Sequence, residues 1–247
     1  MRMTFYLLVF LLLLRGDVHA QQPDSICLEQ TTTRTVSEPA PSLQQPVTEN
    51  PATQEKHPRL FGVMPTYSVS NNKTPVALSS TAKFHLFIKD TIDPFTITYT
   101  AFFAGIQHVN HEPPEYGQGA AGYGKRLGTG LADVISSGFF RAYLFPSLLH
   151  QDPRYFREGS GPSKKRFAHA FIRPFVTRTD RGGRAFDWSG MLGLLAASSL
   201  SNAYYPAHDR GLEPTFERAA MGIPFSVIDH LVDEFGPDLE KKFHWKK

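Results

Sequence analysis

A basic segment that also contains a histidine and two carboxylates, His150–Phe167, has the residue types most able to do chemistry. Its sequence is HQDPRYFREGSGPSKKRF. Its Arg and Lys residues form two clusters, and arginine in particular suits bidentate binding of carboxylate or phosphate. The clusters therefore predict an anion-binding surface made of Arg154, Arg157, Lys164, Lys165 and Arg166.

The charge excess of this segment continues well beyond Phe167. Residues 150–184 contain nine Arg or Lys and three Asp or Glu, in a chain whose net charge is only +3. One interpretation is a surface that faces anionic lipid or acidic polysaccharide, because Pro153 and Pro162 predict turns and turns lie in water. A second interpretation is that the cations pair internally. Asp152 would pair with Arg154 or Arg157, or the clusters would pair with a later acidic segment. That segment contains Asp229, Asp233, Glu234, Asp238 and Glu240.

Two histidines three residues apart, His108 and His111, have a spacing that could place both on one helix face to bind a metal. The zinc-protease pattern H-E-x-x-H is absent, and Pro113-Pro114 ends any helix there. Polar residues at a helix exit explain the pair better, so we expect no metal and keep these histidines as the weaker alternative.

Residues 119–126, GAAGYGKR, almost match the phosphate-binding loop G-x-x-x-x-G-K-[ST]. Arg126 replaces the required hydroxyl, and no apolar strand precedes Gly119, so we expect neither a nucleotide nor any other cofactor. There is no G-x-S-x-G motif for a serine nucleophile. A hydrolase that uses His150, Asp152 or the His108/His111 pair is the alternative to a non-enzymatic protein.

The N-terminal sixty residues predict export. Phe5–Leu14 is apolar and Val18-His19-Ala20 resembles a cleavage site, which together indicate a signal peptide over residues 1–20. Residues 21–58 are rich in Pro, Thr and Gln and predict a disordered tether; they include Cys27, the single cysteine. A folded domain is expected over 59–247. The nearly balanced charge of the chain after the signal peptide argues against a nucleic-acid partner.

Four apolar segments in that domain predict a mainly α fold of about four principal helices, approximately residues 81–109, 117–149, 186–205 and 214–235. Phe95–Thr100 alternates like a strand, but the helical spacing continues to Ile106 and Asp93-Pro94 is a typical helix start. The pair Gly124 and Gly128 predicts a face where helices pack closely. Asp133 and Arg141 interrupt the second segment, which favours a compact bundle over membrane spans.

Five short motifs resemble a family of exported bacterial proteins of unknown function. They are Tyr116-Gly-Gln-Gly, Gly122-Tyr-Gly-Lys-Arg, His150-Gln-Asp-Pro-Arg-Tyr-Phe, Arg178-Thr-Asp and Asn202-Ala-Tyr-Tyr-Pro. The similarity extends from about Leu60 to Phe235. It implies export and assigns no catalytic residues. We therefore expect a non-enzymatic binding or structural protein of the periplasm or outer membrane.

Overall fold

The fold is mainly α. A computed structural model describes residues 59–71 and 76–243, so the predicted signal peptide, the tether and Cys27 lie outside the described residues. Within this part of the chain six α-helices have ten residues or more, and one, α4, is shorter. In chain order the helices are α1 Ser80–Thr91, α2 Pro94–Val109, α3 Gly119–Gly138, α4 Phe145–Leu148, α5 Ser163–Ile172, α6 Trp188–Leu200 and α7 Leu212–Lys242.

The first predicted apolar segment contains two helices, α1 and α2, separated at Asp93. Asp93 caps α2, because its Oδ1 accepts a hydrogen bond from the backbone N–H of Phe95 at 2.8 Å, and Pro94 occupies the first turn. The helical interpretation of this segment is thus confirmed. Irregular helix extends the bundle elsewhere: a π-helix over Phe139–Leu144 and 3₁₀ turns at Pro114–Tyr116, Ser201–Ala203 and Ala207–Asp209.

Five short strands hold the chain on either side of α5. β1 (Val69–Ser70) pairs in parallel with β3 (Tyr155–Phe156). β2 (Gln151–Asp152), β4 (Val176–Thr179) and β5 (Arg184–Phe186) form an antiparallel sheet in the order β2-β4-β5. Because β4 and β5 return beside β2, the end of the basic stretch lies next to its beginning.

Glycines permit close helix contacts, but not at the predicted pair. A Cβ added to Gly124 or Gly128 would meet nothing within 4 Å, so the predicted packing face is wrong. A Cβ on Gly130 would instead lie 2.9 Å from Thr100 Cγ2, which shows that α2 packs against the neighbouring face of α3. The difference arises because residues 124 and 130 are six positions apart and face different sides of the helix.

The interior of the described chain is polar and much of its surface is apolar. Sixteen polar or charged residues are buried, compared with eight apolar ones. Large apolar side chains are exposed on several helices, among them Phe102 on α2, Phe171 on α5 and Phe216 on α7. None of the described helices combines the length and the hydropathy needed to cross a bilayer. Contiguous patches of exposed apolar side chains are typical of surfaces that bind a protein, a ligand or a membrane.

Candidate anion-binding pocket

Helix α5 presents three stripes of different chemistry, and their arrangement defines the candidate site. The inner stripe faces α7 and consists of Arg166 and Ala170, followed by Arg173 just after the helix; all three are buried. A second stripe lines a pocket. The third is exposed and largely aromatic. The second stripe consists of Lys165, Ala168, His169 and Ile172. The third stripe consists of Lys164, Phe167, Phe171 and Phe175.

The pocket has a volume of about 380 Å³ and lies between α5, the end of β3 and the β4–β5 hairpin. Five cationic side chains and one carboxylate, that of Glu158, line it, together with an apolar part formed by Phe156, Ala168, Ile172 and Val176. The cations are Arg157, Lys165, Arg173, Arg178 and Arg184. This excess of positive charge beside apolar surface suits an anionic group attached to an apolar body.

The pocket cations differ in how firmly they are held. Arg173 is buried and donates to the carbonyl of Arg154 at 2.9 Å, with Asp187 at 3.4 Å. The guanidinium of Arg178 lies 4.5 Å from the centroid of the Phe156 ring. Lys165 pairs with Glu158 at 3.4 Å, and Arg184 is exposed. Arg157 donates to the carbonyl of Glu234 and to Asp238, both at 2.9 Å. An incoming anion therefore meets three guanidinium groups that have partners and two exposed side chains, Lys165 and Arg184, that can reorient.

Behind the pocket, the buried carboxylate of Glu234 on α7 collects four donors. Oε2 accepts from the Tyr155 hydroxyl at 2.8 Å and from the backbone N–H of Glu158 at 3.1 Å; Oε1 accepts from the N–H of Gly159 at 3.0 Å and from Arg166 Nε at 2.7 Å. Burial alone would raise the pKa of Glu234, but these donors hold its pKa below the ordinary value. This Glu234 network fixes the loop that forms one wall of the pocket.

Two neutral imidazoles lie at or near the pocket: that of His169 lines it, and that of His230 is outside the lining. The His169 Nδ1 lies 3.2 Å from the Tyr155 hydroxyl, and the His230 ring stacks on the Tyr155 ring with centroids 4.8 Å apart. Burial lowers the pKa of His169, as do the charges of Arg173 and Arg184, and burial lowers that of His230 to about 3. The positive charge of the pocket therefore comes from its Arg and Lys residues at neutral pH.

Of the five cations predicted to bind an anion, only Arg157 and Lys165 line the pocket. Arg157 also contacts Asp238 at 2.9 Å. Arg166 is 7% exposed and pairs with Glu234 and Asp238, which confirms the internal pairing with the later acidic segment. Lys164 is exposed outside the pocket.

The remaining predicted cation, Arg154, pairs internally. It binds both oxygens of Asp152, with Nε–Oδ1 at 3.0 Å and Nη2–Oδ2 at 2.7 Å. The expectation that this whole segment lies in water is wrong, since Gln151, Asp152, Tyr155 and Phe156 are buried. That burial is tolerable because Asp152 is paired with Arg154 and because two short strands provide hydrogen-bond partners for the backbone.

The histidine alternatives are not brought together. His108 Nδ1 lies 3.3 Å from Arg126 Nη1, and His150 is largely exposed, with its Nδ1 3.9 Å from Asp180. Among the described residues, no group of three or more His, Cys, Asp or Glu side chains is placed to hold a metal ion. Asp152 is occupied by Arg154.

Arg126, in the segment that resembles a phosphate-binding loop, has a structural position. It is 1% exposed and donates to the carbonyls of Glu112 at 2.7 Å, Pro113 at 2.9 Å and Gly117 at 2.8 Å. It therefore holds the chain between α2 and α3 against the first turns of α3. The guanidinium of Arg126 also lies 5.8 Å from the centroid of the Tyr116 ring, which places Tyr116 beside α3.

Three of the five pocket cations were absent from the predicted site: Arg173, Arg178 and Arg184. The sequence contained a sign of them, because the excess of positive charge extends to Arg184. What the sequence did not show is that the β4–β5 hairpin folds back beside β2.

The chain matches no protein-family model, no curated protein and no solved structure at a significant level. The resemblance to exported bacterial proteins therefore stays an expectation.

Proposed function

We propose that this chain is an exported, non-enzymatic envelope protein that binds the anionic headgroups of lipids at a membrane surface. The observation that supports this is the position of the cationic pocket next to an exposed aromatic stripe. Ile172 connects the two: it lines the pocket, is 50% exposed, and directly follows Phe171 of the aromatic stripe.

Lipid is favoured over polysaccharide because the apolar surface continues past the pocket. Phe167, Phe171 and Phe175 are exposed on or just after α5. Phe186 and Trp188 are also exposed, with ring centroids 4.9 Å apart, in a segment whose backbone pairs with Phe175 and Val176. Aromatic side chains of this kind are typical of membrane interfaces. Lys164 in the stripe and the exposed pocket cations Lys165 and Arg184 each contribute about 1 kcal/mol near an anionic leaflet. An acidic polysaccharide can pack single sugar rings on single aromatic side chains, but it has no hydrocarbon to cover an apolar surface of this extent.

Co-sedimentation with vesicles tests this proposal. The full chain should bind vesicles of phosphatidylcholine with phosphatidylglycerol several-fold more strongly than vesicles of phosphatidylcholine alone. Arg184→Gln removes a cation of the pocket opening and should reduce binding to the anionic vesicles about three- to tenfold. Arg181→Gln is the matched control: it removes the same charge from the same hairpin at an exposed position outside the pocket lining.

Equal losses for the two variants would show general attraction between charges and contradict a role for the pocket. Binding to a soluble acidic polysaccharide, without binding to either vesicle, would replace lipid by polysaccharide as the partner.

A further inference from the structure

A second cavity lies at the ends of α3 and α6, away from the cationic pocket and sharing no residue with it. Its volume is about 440 Å³, and it is open to solvent. Three tyrosines, two cations and one carboxylate dominate its lining: Tyr116, Tyr204, Tyr205, Lys125, Arg210 and Glu115. We call it the tyrosine cleft. Three of the five sequence motifs named above meet in it, although they are separated by up to about ninety residues in the chain.

Two of the three rings are fixed from behind by one carboxylate. Asp133 Oδ1 accepts from the Tyr204 hydroxyl at 2.6 Å, and Oδ2 accepts from the Tyr205 hydroxyl at 2.7 Å. Burial raises the pKa of Tyr205, and the charge of Asp133 raises it further, so the phenol stays protonated and keeps donating. Because both hydroxyls are directed to Asp133, the rings contribute mainly carbon surface to the cleft.

The charges around the rings disfavour a cationic ligand. The Arg218 guanidinium lies 5.0 Å from the Tyr205 centroid, and that of Arg126 lies near Tyr116. One face of each of these rings is thus already next to a positive charge, and Lys125 and Arg210 add two more at the cleft itself. A ligand that carries a quaternary ammonium group would normally seek such rings. Here it would meet Lys125 and Arg210 at the cleft, and the charges of Arg126 and Arg218 beside two of the rings.

A ligand that satisfies this lining has a flat apolar face, many hydroxyl groups and negative charge. We infer that the tyrosine cleft binds an acidic saccharide. A sugar ring offers C–H groups to the tyrosine carbons, while Lys125 and Arg210 donate to its hydroxyl and carboxylate oxygens and Glu115 accepts from its hydroxyls. This is a binding site separate from the membrane-surface role proposed above.

Gly128 offers a way to fill the cleft without disturbing the core. It lines the cleft, and a Cβ added to it would meet nothing within 4 Å. Gly124, one turn earlier on α3, is also open but does not line the cleft. Replacing either glycine should leave the helix intact, since non-glycine residues favour helix by up to about 1 kcal/mol.

Titration calorimetry on the full chain with oligogalacturonate, an acidic saccharide, tests the inference. Gly128→Leu should weaken binding at least tenfold, and Gly124→Leu should leave it within about twofold of the wild-type value. Lys125→Gln, a change at an exposed position, should weaken binding about three- to tenfold. All three variants should melt within a few degrees of the wild-type protein.

The inference is overturned if the wild-type chain binds no oligogalacturonate, if Gly124→Leu weakens binding as much as Gly128→Leu, or if a neutral maltooligosaccharide binds equally well. Tighter binding of choline than of the saccharide also overturns it. The two proposals fail independently: Gly128→Leu should still bind anionic vesicles, and Arg184→Gln should still bind the saccharide.

Discussion

The cationic pocket and the tyrosine cleft both have a carboxylate behind them that accepts hydrogen bonds from phenols. Behind the pocket Glu234 accepts from Tyr155, and behind the cleft Asp133 accepts from Tyr204 and Tyr205. The two carboxylates nevertheless shift in opposite directions. The pKa of Glu234 is lowered, whereas burial raises that of Asp133 despite its two phenols.

The difference lies in the other donors. Glu234 binds the Arg166 guanidinium at 2.7 Å and two backbone N–H groups, which favour the charged form. Asp133 has no guanidinium in hydrogen-bond contact among the described residues; Arg218 acts on it only through its more distant charge. Phenols alone therefore do not offset the desolvation of a carboxylate, and a direct cation with backbone amides does.

Removing the acceptor of the Glu234 network should have the largest effect. Glu234→Ala leaves Arg166, Tyr155 and two backbone N–H groups without their shared partner. We expect a loss of about 3 to 5 kcal/mol in the free energy of unfolding, measured by urea denaturation at pH 7. Glu217→Ala, at an exposed position of the same helix, should change it by less than about 0.5 kcal/mol. A loss below about 1 kcal/mol for Glu234→Ala would contradict the importance of this network.

Removing the charge of the neighbouring carboxylate, Asp233, should stabilise the protein, whereas removing Glu234 should destabilise it. Burial, and then the charge of Glu234, raises the pKa of Asp233 to about 7, and its side chain is 17% exposed. A carboxyl group whose pKa is raised on folding contributes its full stabilisation at pH values below its ordinary pKa of 3.8. This stabilisation is lost as the pH rises through about 7. Asp233→Asn should therefore be more stable than the wild-type protein at pH 8, by about 1 to 3 kcal/mol.

Denaturation curves between pH 4 and 8 would measure that gain, which should shrink towards pH 4 because the wild-type side chain is then protonated. His230 gives the opposite slope, since its lowered pKa favours the folded state above its ordinary value of 6.5. His230→Asn is therefore the control for direction. A pH-independent gain in Asp233→Asn would show that the charge is not the cause.

A smaller effect separates the two phenol-bound carboxylates directly. The pKa of Asp133 is raised, so its contribution to stability should decline as the pH rises above 3.8. The pKa of Glu234 is lowered, so its contribution should be fully present above pH 4.5 and should decline as the pH falls below 4.5. The stability difference between wild type and Asp133→Asn should thus change by about 1 kcal/mol between pH 3.5 and 7. The difference for Glu234→Gln should change with the opposite sign. Parallel slopes would remove the distinction drawn between the two sites.

The sequence predicted the helices that lie in long apolar segments and missed the short one that is rich in positive charge. Asp93 and the spacing of aromatic residues identified α2. Helix α5 was missed because its inner stripe consists of Arg166, Ala170 and the following Arg173, which give no apolar periodicity. Pro162, directly before this helix, was interpreted as part of a turn. A search for apolar periodicity does not detect a helix that packs through charges.

The candidate sites were predictable only in part for a similar reason. The basic clusters and their acidic partners on α7 were both evident, and the pairing of Arg166 with Glu234 is confirmed. The sequence allows many pairings between these arginines and carboxylates. Which one forms depends on the fold, because Arg166 and Glu234 are 68 positions apart in the chain. The tyrosine cleft was missed altogether, because Tyr116 and Tyr204 meet only through the packing of α3 against the turns that follow α6.

The Glu234 network also has a consequence for the order in which this protein becomes stable during synthesis. Tyr155 is translated 79 residues before its acceptor, and Arg166 is translated 68 residues before it. Until α7 emerges from the ribosome, Arg157, Arg166 and the neighbouring lysines form an unpaired basic segment next to exposed phenylalanines. Such an intermediate is prone to bind other molecules or to aggregate. The nascent chain therefore has its greatest need of a chaperone in the interval between α5 and the completion of α7.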